Sequence, residues 1–332
     1  MSLLYVAENG TTLGVNGGCF VLKHTDLHEE AIPKETISSI CIFGKTQITT
    51  QCTEFCLKKG IRISYFSQSG SFYGTLLSPG QTNIKRLRKQ LQLTDDPAFS
   101  LSMAKKIIDA KIHNQFVIAN RYQKNHSIEA GKQFFQMKNA RKHVQQSLTT
   151  EELMGYEGIA SRNYFEILAM LIDPAFIFSS RNRRPAQDPF NCMLNLGYSI
   201  LNKELYGQIE NRSLSPYAGF LHKDRENHPA LASDMIEEWR PVLIDSCVLS
   251  LIQGHEISPS HFCRQGSATC MTKEGIKLFL TKLEQKMYVQ TKYLPDIVSP
   301  IDFRHAIWHQ AEAMTQAIEK ESISLYNPIR IR

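Results

Sequence analysis

The chain has 332 residues, 42% hydrophobic and 21% charged, a globular composition that implies a sizeable core and, by length, two domains. No apolar run approaches the ~20 residues of a bilayer span, so no membrane-spanning helix is expected, and residues 1–6, which run at once into a polar turn, are not expected to be a cleavable signal. The formal net charge of +6 is uneven: residues 81–146 carry 13 Lys and Arg against 4 Asp and Glu, a surplus of +9. Such a basic helical stretch is what counterion release at a phosphate backbone uses, although a solvated helix surface has the same composition. The eight cysteines include no CxxC; Cys52 and Cys56 lie four apart, Cys263 and Cys270 seven apart. That spacing argues against a zinc ribbon, and reduced, buried thiols in a cytoplasmic protein are expected.

Residues 1–80 read as β structure. Short runs at 3–7, 12–15 and 19–23 are separated by Asn9-Gly10 and Asn16-Gly17-Gly18, and Asn-Gly pairs suit tight hairpins, so a meander is expected. A strand at 37–43 follows, then a short helix at 51–59 ended by Gly60, then a hairpin of 61–66 and 72–77 around Gln68-Ser69-Gly70. Ser78-Pro79-Gly80 breaks the pattern, and 81–95 reads as a linker. Beyond it the period becomes helical: Leu101, Ala104, Ile107, Ile108, Ile112 and Phe116 share one face. Thr149 with Glu152 is a capping box, and Asp188-Pro189 pairs an N-cap with Pro at the first helical position. Further helices are expected at 230–251, from Thr272 and from Ser299-Pro300. The fold class is therefore α+β: a β-rich domain at 1–80, then a larger all-α domain at 96–332.

Three blocks of the helical domain could carry chemistry. In the first, Gly158 follows Glu157 inside a helical pattern, at a cost of about 1 kcal/mol relative to alanine, which invites close approach of a partner element or ligand. The second is the loop from Ser215 that ends in His222. In the third, Asp234 and Glu237 are three apart and share a helix face; two adjacent carboxylates repel unless a cation or proton intervenes. Singly, each block also fits a surface glutamate, a packed histidine, or a solvated acidic face paired with Arg240. Together they supply carboxylate, imidazole and carboxylate from separate elements, a donor set suited to Mg²⁺ or Mn²⁺, and such an ion assists phosphodiester chemistry. Without metal, these carboxylates should repel and one or more pKa values should rise. Arg162, Arg181, Arg183, Arg184, Arg225 and Arg240 lie nearby in sequence, and guanidinium forks bind phosphate oxygens in pairs.

The blocks EGIASRNYF, RNRRPAQDPFNCMLNLGYSIL, SPYAGFLH and LASDMIEEWRPVLID resemble the CRISPR-associated adaptation integrases, the Cas-one family, in order and spacing over essentially the whole chain. The resemblance implies Glu157, His222 and Glu237 as metal ligands, with Asp234 as a companion acid in the catalytic set. It implies a DNA integrase and endonuclease that joins 3′-OH ends of short DNA fragments to a CRISPR repeat by transesterification. It further implies a homodimer formed through the β domain and a small ferredoxin-like partner of the Cas-two family. Ala186 stands where many relatives have a second proline and Ser215 where an aspartate is frequent; both lie away from the metal set. The same ligands would equally serve a nuclease that only hydrolyses DNA or RNA.

Overall fold

The computed structural model describes residues 2–332 apart from 69, 71, 77, 79–82, 125–127, 183–184, 223–224 and 295–296. The N-terminal region forms two four-stranded sheets and one helix. β1 (Ser2–Val6), β5 (Ile37–Phe43), β7 (Arg62–Phe66) and β8 (Phe72–Leu76) lie in the order β1-β5-β7-β8, and β2 (Thr12–Asn16), β3 (Cys19–Lys23), β4 (Glu29–Pro33) and β6 (Gln47–Ile48) in the order β4-β3-β2-β6. The expected meander holds only in part. β2, β3 and β4 pair antiparallel in succession and β7 pairs with β8 as a hairpin, but β1 leaves β2 and runs parallel to β5, which runs parallel to β7. Asn-Gly pairs report turns, not distant partners; the parallel partner is chosen by burial. Successive side chains of β5 point to opposite faces. Ile40 and Ile42 enter a core with Leu13, Phe20, Cys52 and Cys56, while Cys41 and Phe43 enter the core of the helical region. A strand buried on both faces reads as a continuous apolar run and takes an interior place. The first sheet is thus the layer that joins the two regions.

Helix α1 (Thr50–Lys59) starts where the Thr49 hydroxyl accepts from Cys52 N at 3.2 Å and ends at Gly60, φ 68°. Ser69, Leu77, Pro79 and Gly80 of the expected hairpin and breaker lie outside the described residues. Within 81–95, Ile84–Thr94 form helix α2. It is built into the helical region: Arg86 pairs with Glu319 at 2.6 Å, and buried Gln90 donates to Ser215 O and Ala218 O, both at 2.8 Å.

The helical region follows with α3 (Pro97–Gln123), α4 (Gly131–Gln146), α5 (Thr150–Leu171), α6 (Pro189–Glu210), α7 (Ala230–Ile236), α8 (Ser246–Gln253), α9 (Lys273–Met287) and α10 (Phe303–Glu319). It is not purely α, since β9 (Phe262–Gln265) and β10 (Ala268–Met271) form an antiparallel ribbon. The caps expected at Thr149, Asp188 and Thr272 are present. The helix expected over 230–251 is broken instead. Pro241 has no N–H to offer one turn back, and the chain passes from α7 through a π-helical turn, Arg240–Asp245, into α8. α10 begins three residues after Ser299-Pro300, with the Asp302 carboxylate accepting from His305 N at 2.9 Å.

The C-terminal residues pack against the helical region. Tyr326 and Ile329 are fully buried, Ile329 N donates to Glu238 at 2.6 Å, Ile331 N to Asn114 at 3.0 Å, and Arg330 pairs with Asp109 at 2.5 Å. All eight cysteines are free. Among the described residues, no helix is long and apolar enough to cross a membrane.

Candidate metal centre and its cleft

α3 is buried on nearly its whole circumference, including the polar residues Asp109, Lys111, Asn114 and Gln115. A charge there needs partners, because an unpaired ion in a core is strongly disfavoured. Lys111 finds two. Its ammonium contacts Glu157 of α5 and lies 2.6 Å from Glu237 Oε2, just after α7. Side-chain exposures of 8%, 15% and 4% for Lys111, Glu157 and Glu237 make this a nearly closed ionic cluster. Ser161, one turn along α5, donates to Glu157 at 2.7 Å, and Arg240 pairs with the other oxygen of Glu237 at 2.6 Å. Asn114, one turn after Lys111, donates to Glu238 O at 2.9 Å and so ties α3 to the Glu237–Glu238 backbone.

Asp234 has a different role from Glu237 although they share a helix face. Fully buried, it accepts from the backbone N–H groups of Phe220, Leu221 and His222 at 2.6, 3.0 and 3.0 Å, and lies 2.7 Å from His222 Nδ1. It therefore fixes the loop and the imidazole together. With Nδ1–H donating to Asp234, Nε2 is the lone-pair nitrogen, the arrangement typical of a metal-binding histidine. Gly219 is required by this approach, because a Cβ there would fall 2.7 Å from the Asp234 carboxylate. Gly158 is not explained in the same way: its Cβ would meet nothing within 4 Å, so among the described residues no other element approaches it.

The electrostatics correct one expectation. Glu157 and Glu237 do not repel into higher pKa values, because cations stand between and beside them. Burial pushes Glu237 up, but Arg240, Lys111 and His222 outweigh it and hold the carboxyl at about 2. Burial likewise works against the charge on Glu157, yet Lys111 holds it below the usual carboxylate range. For Lys111, burial is more than offset by the two glutamates, which keep the ammonium above the usual lysine range.

Glu157 and Glu237 thus converge on one point, where Lys111 Nζ sits, while His222, on its Asp234 anchor, is near enough to Glu237 to act on its charge. Among the described residues, no three of His, Cys, Asp and Glu converge at metal-binding distance. The donor chemistry still suits a hard divalent ion. Glu237 Oε2 is buried and makes no hydrogen bond of acceptable geometry, so only its ion pair with Lys111 satisfies it.

A cleft of about 620 Å³ opens beside the cluster. Lys111, Glu157, Arg181, Tyr198 and Arg240 line it, with Phe72 contributed by β8 of the N-terminal region. Of the arginines expected at DNA, Arg181 reaches the cleft held by Asn191 and Asn195 at 2.7 Å each, and it lies 5.3 Å from the Tyr198 ring. Arg240 is committed to Glu237 and packs over the same ring at 4.9 Å. Arg162 lies in a separate groove between α4 and α5, with His143 stacked on Tyr156 at 5.1 Å. Arg225 is exposed and does not line the cleft. Arg183 and Arg184 lie outside the described residues. Lys111 is the site residue that sequence reasoning missed. Its signal was a lysine one residue before Ile112 on a helix buried nearly all round.

The sequence profile for CRISPR associated protein Cas1 matches residues 4–285. A CRISPR-associated endonuclease Cas1 from Mycobacterium tuberculosis is 32% identical over 321 residues, 96% of this chain and 94% of that protein. Among solved structures, a casposase bound to integration product superposes with a TM-score of 0.86 at 22% identity, over 97% of this chain and 92% of that one. A chain of a Cas6-RT-Cas1–Cas2 complex gives 0.83 at 23% identity, over 98% of this chain but only 36% of that one. At these identities the structural likeness speaks for the fold alone.

Proposed function

The chain belongs to the CRISPR-associated Cas1 family, and we propose that it is a metal-dependent DNA integrase that joins the 3′-OH ends of short DNA fragments to a CRISPR repeat by transesterification. Cleavage of DNA follows at the same site when water replaces the 3′-OH. The observation that carries this reading is the convergence of Glu157 and Glu237 on one buried cation position at the edge of the cleft.

Glu157, Glu237 and the Nε2 of His222 would hold one Mg²⁺ or Mn²⁺. The ion would polarise the phosphodiester and stabilise the charge that develops on the attacking and leaving oxygens. Asp234 keeps His222 oriented, and Arg240 keeps Glu237 ionised and aimed. Arg181, braced by Asn191 and Asn195, offers the cleft a guanidinium for phosphate oxygens without reading bases. The basic α2–α4 surface and the Arg162 groove would carry the rest of the duplex. The partner read from the resemblance, a small ferredoxin-like protein of the Cas-two family, is in keeping with the naming of one structural neighbour as a complex with Cas2. Homodimerisation through the β-rich domain completes the proposed assembly.

The test is a strand-transfer assay: protein, partner, Mg²⁺ or Mn²⁺, and a 3′-OH duplex with a supercoiled repeat plasmid. Joined product is expected, with Glu237→Ala and His222→Ala lowering its rate by roughly 10³-fold, the scale of losing several kcal/mol of transition-state stabilisation. Nicked plasmid without joined product would reduce the protein to a nuclease, and unchanged activity in both variants would remove the assigned ligands.

A further inference from the structure

Lys111 is a charged residue of the site that neither the family blocks nor the proposed ligand set uses. Its ammonium stands where a divalent ion bridging Glu157 and Glu237 would stand. It is 2.6 Å from Glu237 Oε2 and in contact with Glu157 Oε1, and an Mg²⁺–oxygen bond is about 2.1 Å long. Two cations cannot share the same pair of oxygens at such separations without strong repulsion. A lysine suits a replaceable role because it is a compact point charge on a flexible stem, not a directional fork. It also has somewhere to go, since Lys111 lines the cleft together with Arg181 and Arg240.

We propose that Lys111 is a built-in counter-cation: it holds Glu157 and Glu237 together in the metal-free protein, and a divalent ion enters by displacing it towards the phosphate of a strand in the cleft. The inference rests on the metal reading of the site. It makes the lysine do two jobs in sequence. Before the metal binds, it prevents carboxylate repulsion from opening the pocket. Afterwards, it adds a positive charge to the DNA path, so that metal and DNA favour each other's binding, as linkage requires.

The test measures Mn²⁺ binding to the DNA-free protein by the loss of the free-ion paramagnetic resonance signal. The wild type is compared with Lys111→Met, Lys111→Gln and Lys111→Arg. The two neutral variants are expected to bind Mn²⁺ roughly tenfold more tightly or better, because the competing unit charge is gone, whereas Lys111→Arg stays close to wild type. Gln keeps hydrogen-bond donors for the carboxylates without the charge, so it guards against a Met variant that does not fold. The neutral variants should also bind a DNA duplex as well as wild type without metal, and more weakly in Ca²⁺. A purely structural lysine would leave Mn²⁺ affinity unchanged or weaker in folded neutral variants, and that result overturns the proposal. Absence of Mn²⁺ binding in every protein, wild type included, would instead break the metal reading beneath it.

Discussion

Among the described residues, two clusters place a largely buried cation between two glutamates, and the identity of the cation separates them. At the junction of the N-terminal sheet and the helices, Arg304 of α10 donates to Glu204 of α6 at 3.1 Å and to Glu284 of α9 at 2.5 Å, and the Tyr5 hydroxyl of β1 donates to Glu284 at 2.7 Å. In the cleft, Lys111 meets Glu157 and Glu237. The guanidinium aims separate N–H groups at each carboxylate, which a spherical ion cannot reproduce; the ammonium offers charge at a point, which a spherical ion can. Balance differs as well. Burial wins at Glu204 and raises its pKa despite Arg304, whereas at Glu237 burial loses to the surrounding cations. One cluster fastens two regions of the fold, and the other keeps a pair of carboxylates charged and ready for another cation.

Breaking the junction should have the larger effect on stability. Arg304→Ala leaves two largely buried glutamates without their cation and should cost up to about 3–5 kcal/mol, the figure for a fully buried pair, read from denaturant melts, with Mn²⁺ affinity unchanged. An equal loss of metal affinity would mean that the clusters are not independent. Asp234→Asn comes next and tests the site. An amide cannot accept on both sides from three backbone N–H groups and still fix the His222 ring, so metal affinity should fall by about 10–100-fold. Unchanged affinity would make Asp234 a loop anchor with no bearing on the imidazole.

The contrast between the clusters also governs what could be read from sequence. Local signals were legible: the caps at Thr149, Asp188 and Thr272, and the helix stop at Gly60, depend on neighbours within four residues. Partners distant in sequence were not. The parallel pairing of β1 with β5 joins residues 35 or 36 apart in sequence, and no turn residue encodes it. The expected helix over 230–251 breaks around Pro241, and the separate roles of Asp234 and Glu237 follow from their different distant partners, the 220–222 backbone for one and Lys111 for the other. Glu157, His222 and Glu237 were picked out because they stand in recognisable blocks. Lys111 was missed because it stands outside them, 46 residues before Glu157, and only the packing of α3 against α5 and the Glu237 turn gives it meaning.

Acid titration should distinguish the clusters by sign. The Glu237 pKa is depressed, from an ordinary 4.5 to about 2. Its stabilising contribution is therefore present above pH 4.5 and is lost as pH falls through about 2. Glu204 is shifted the other way, so its contribution is greatest at low pH and declines as pH rises through its raised value. Melting temperature measured from pH 5 down to pH 2 should therefore fall less steeply in Glu237→Gln than in wild type, and should fall at least as steeply in Glu204→Gln. Parallel curves for all three proteins would show that neither glutamate senses its neighbours as the geometry implies.

The smallest effect concerns the other arginine at the junction. Arg62 of β7 crosses α6 at Gly207, where an added Cβ would lie 1.3 Å from its guanidinium, and it pairs with Glu210 at 3.4 Å. Gly207→Ala must push Arg62 aside, which forfeits a contact worth up to about 1 kcal/mol. The same change improves helix propensity by about 1 kcal/mol. In the wild-type background the two effects nearly cancel, so a small net change is expected. In an Arg62→Ala background only the helical gain remains, and Gly207→Ala should stabilise by about 1 kcal/mol. A double-mutant cycle in urea isolates the coupling. If alanine at 207 has the same effect in both backgrounds, the glycine is not there to let Arg62 pass, and the junction relies on Arg304 alone among these two arginines.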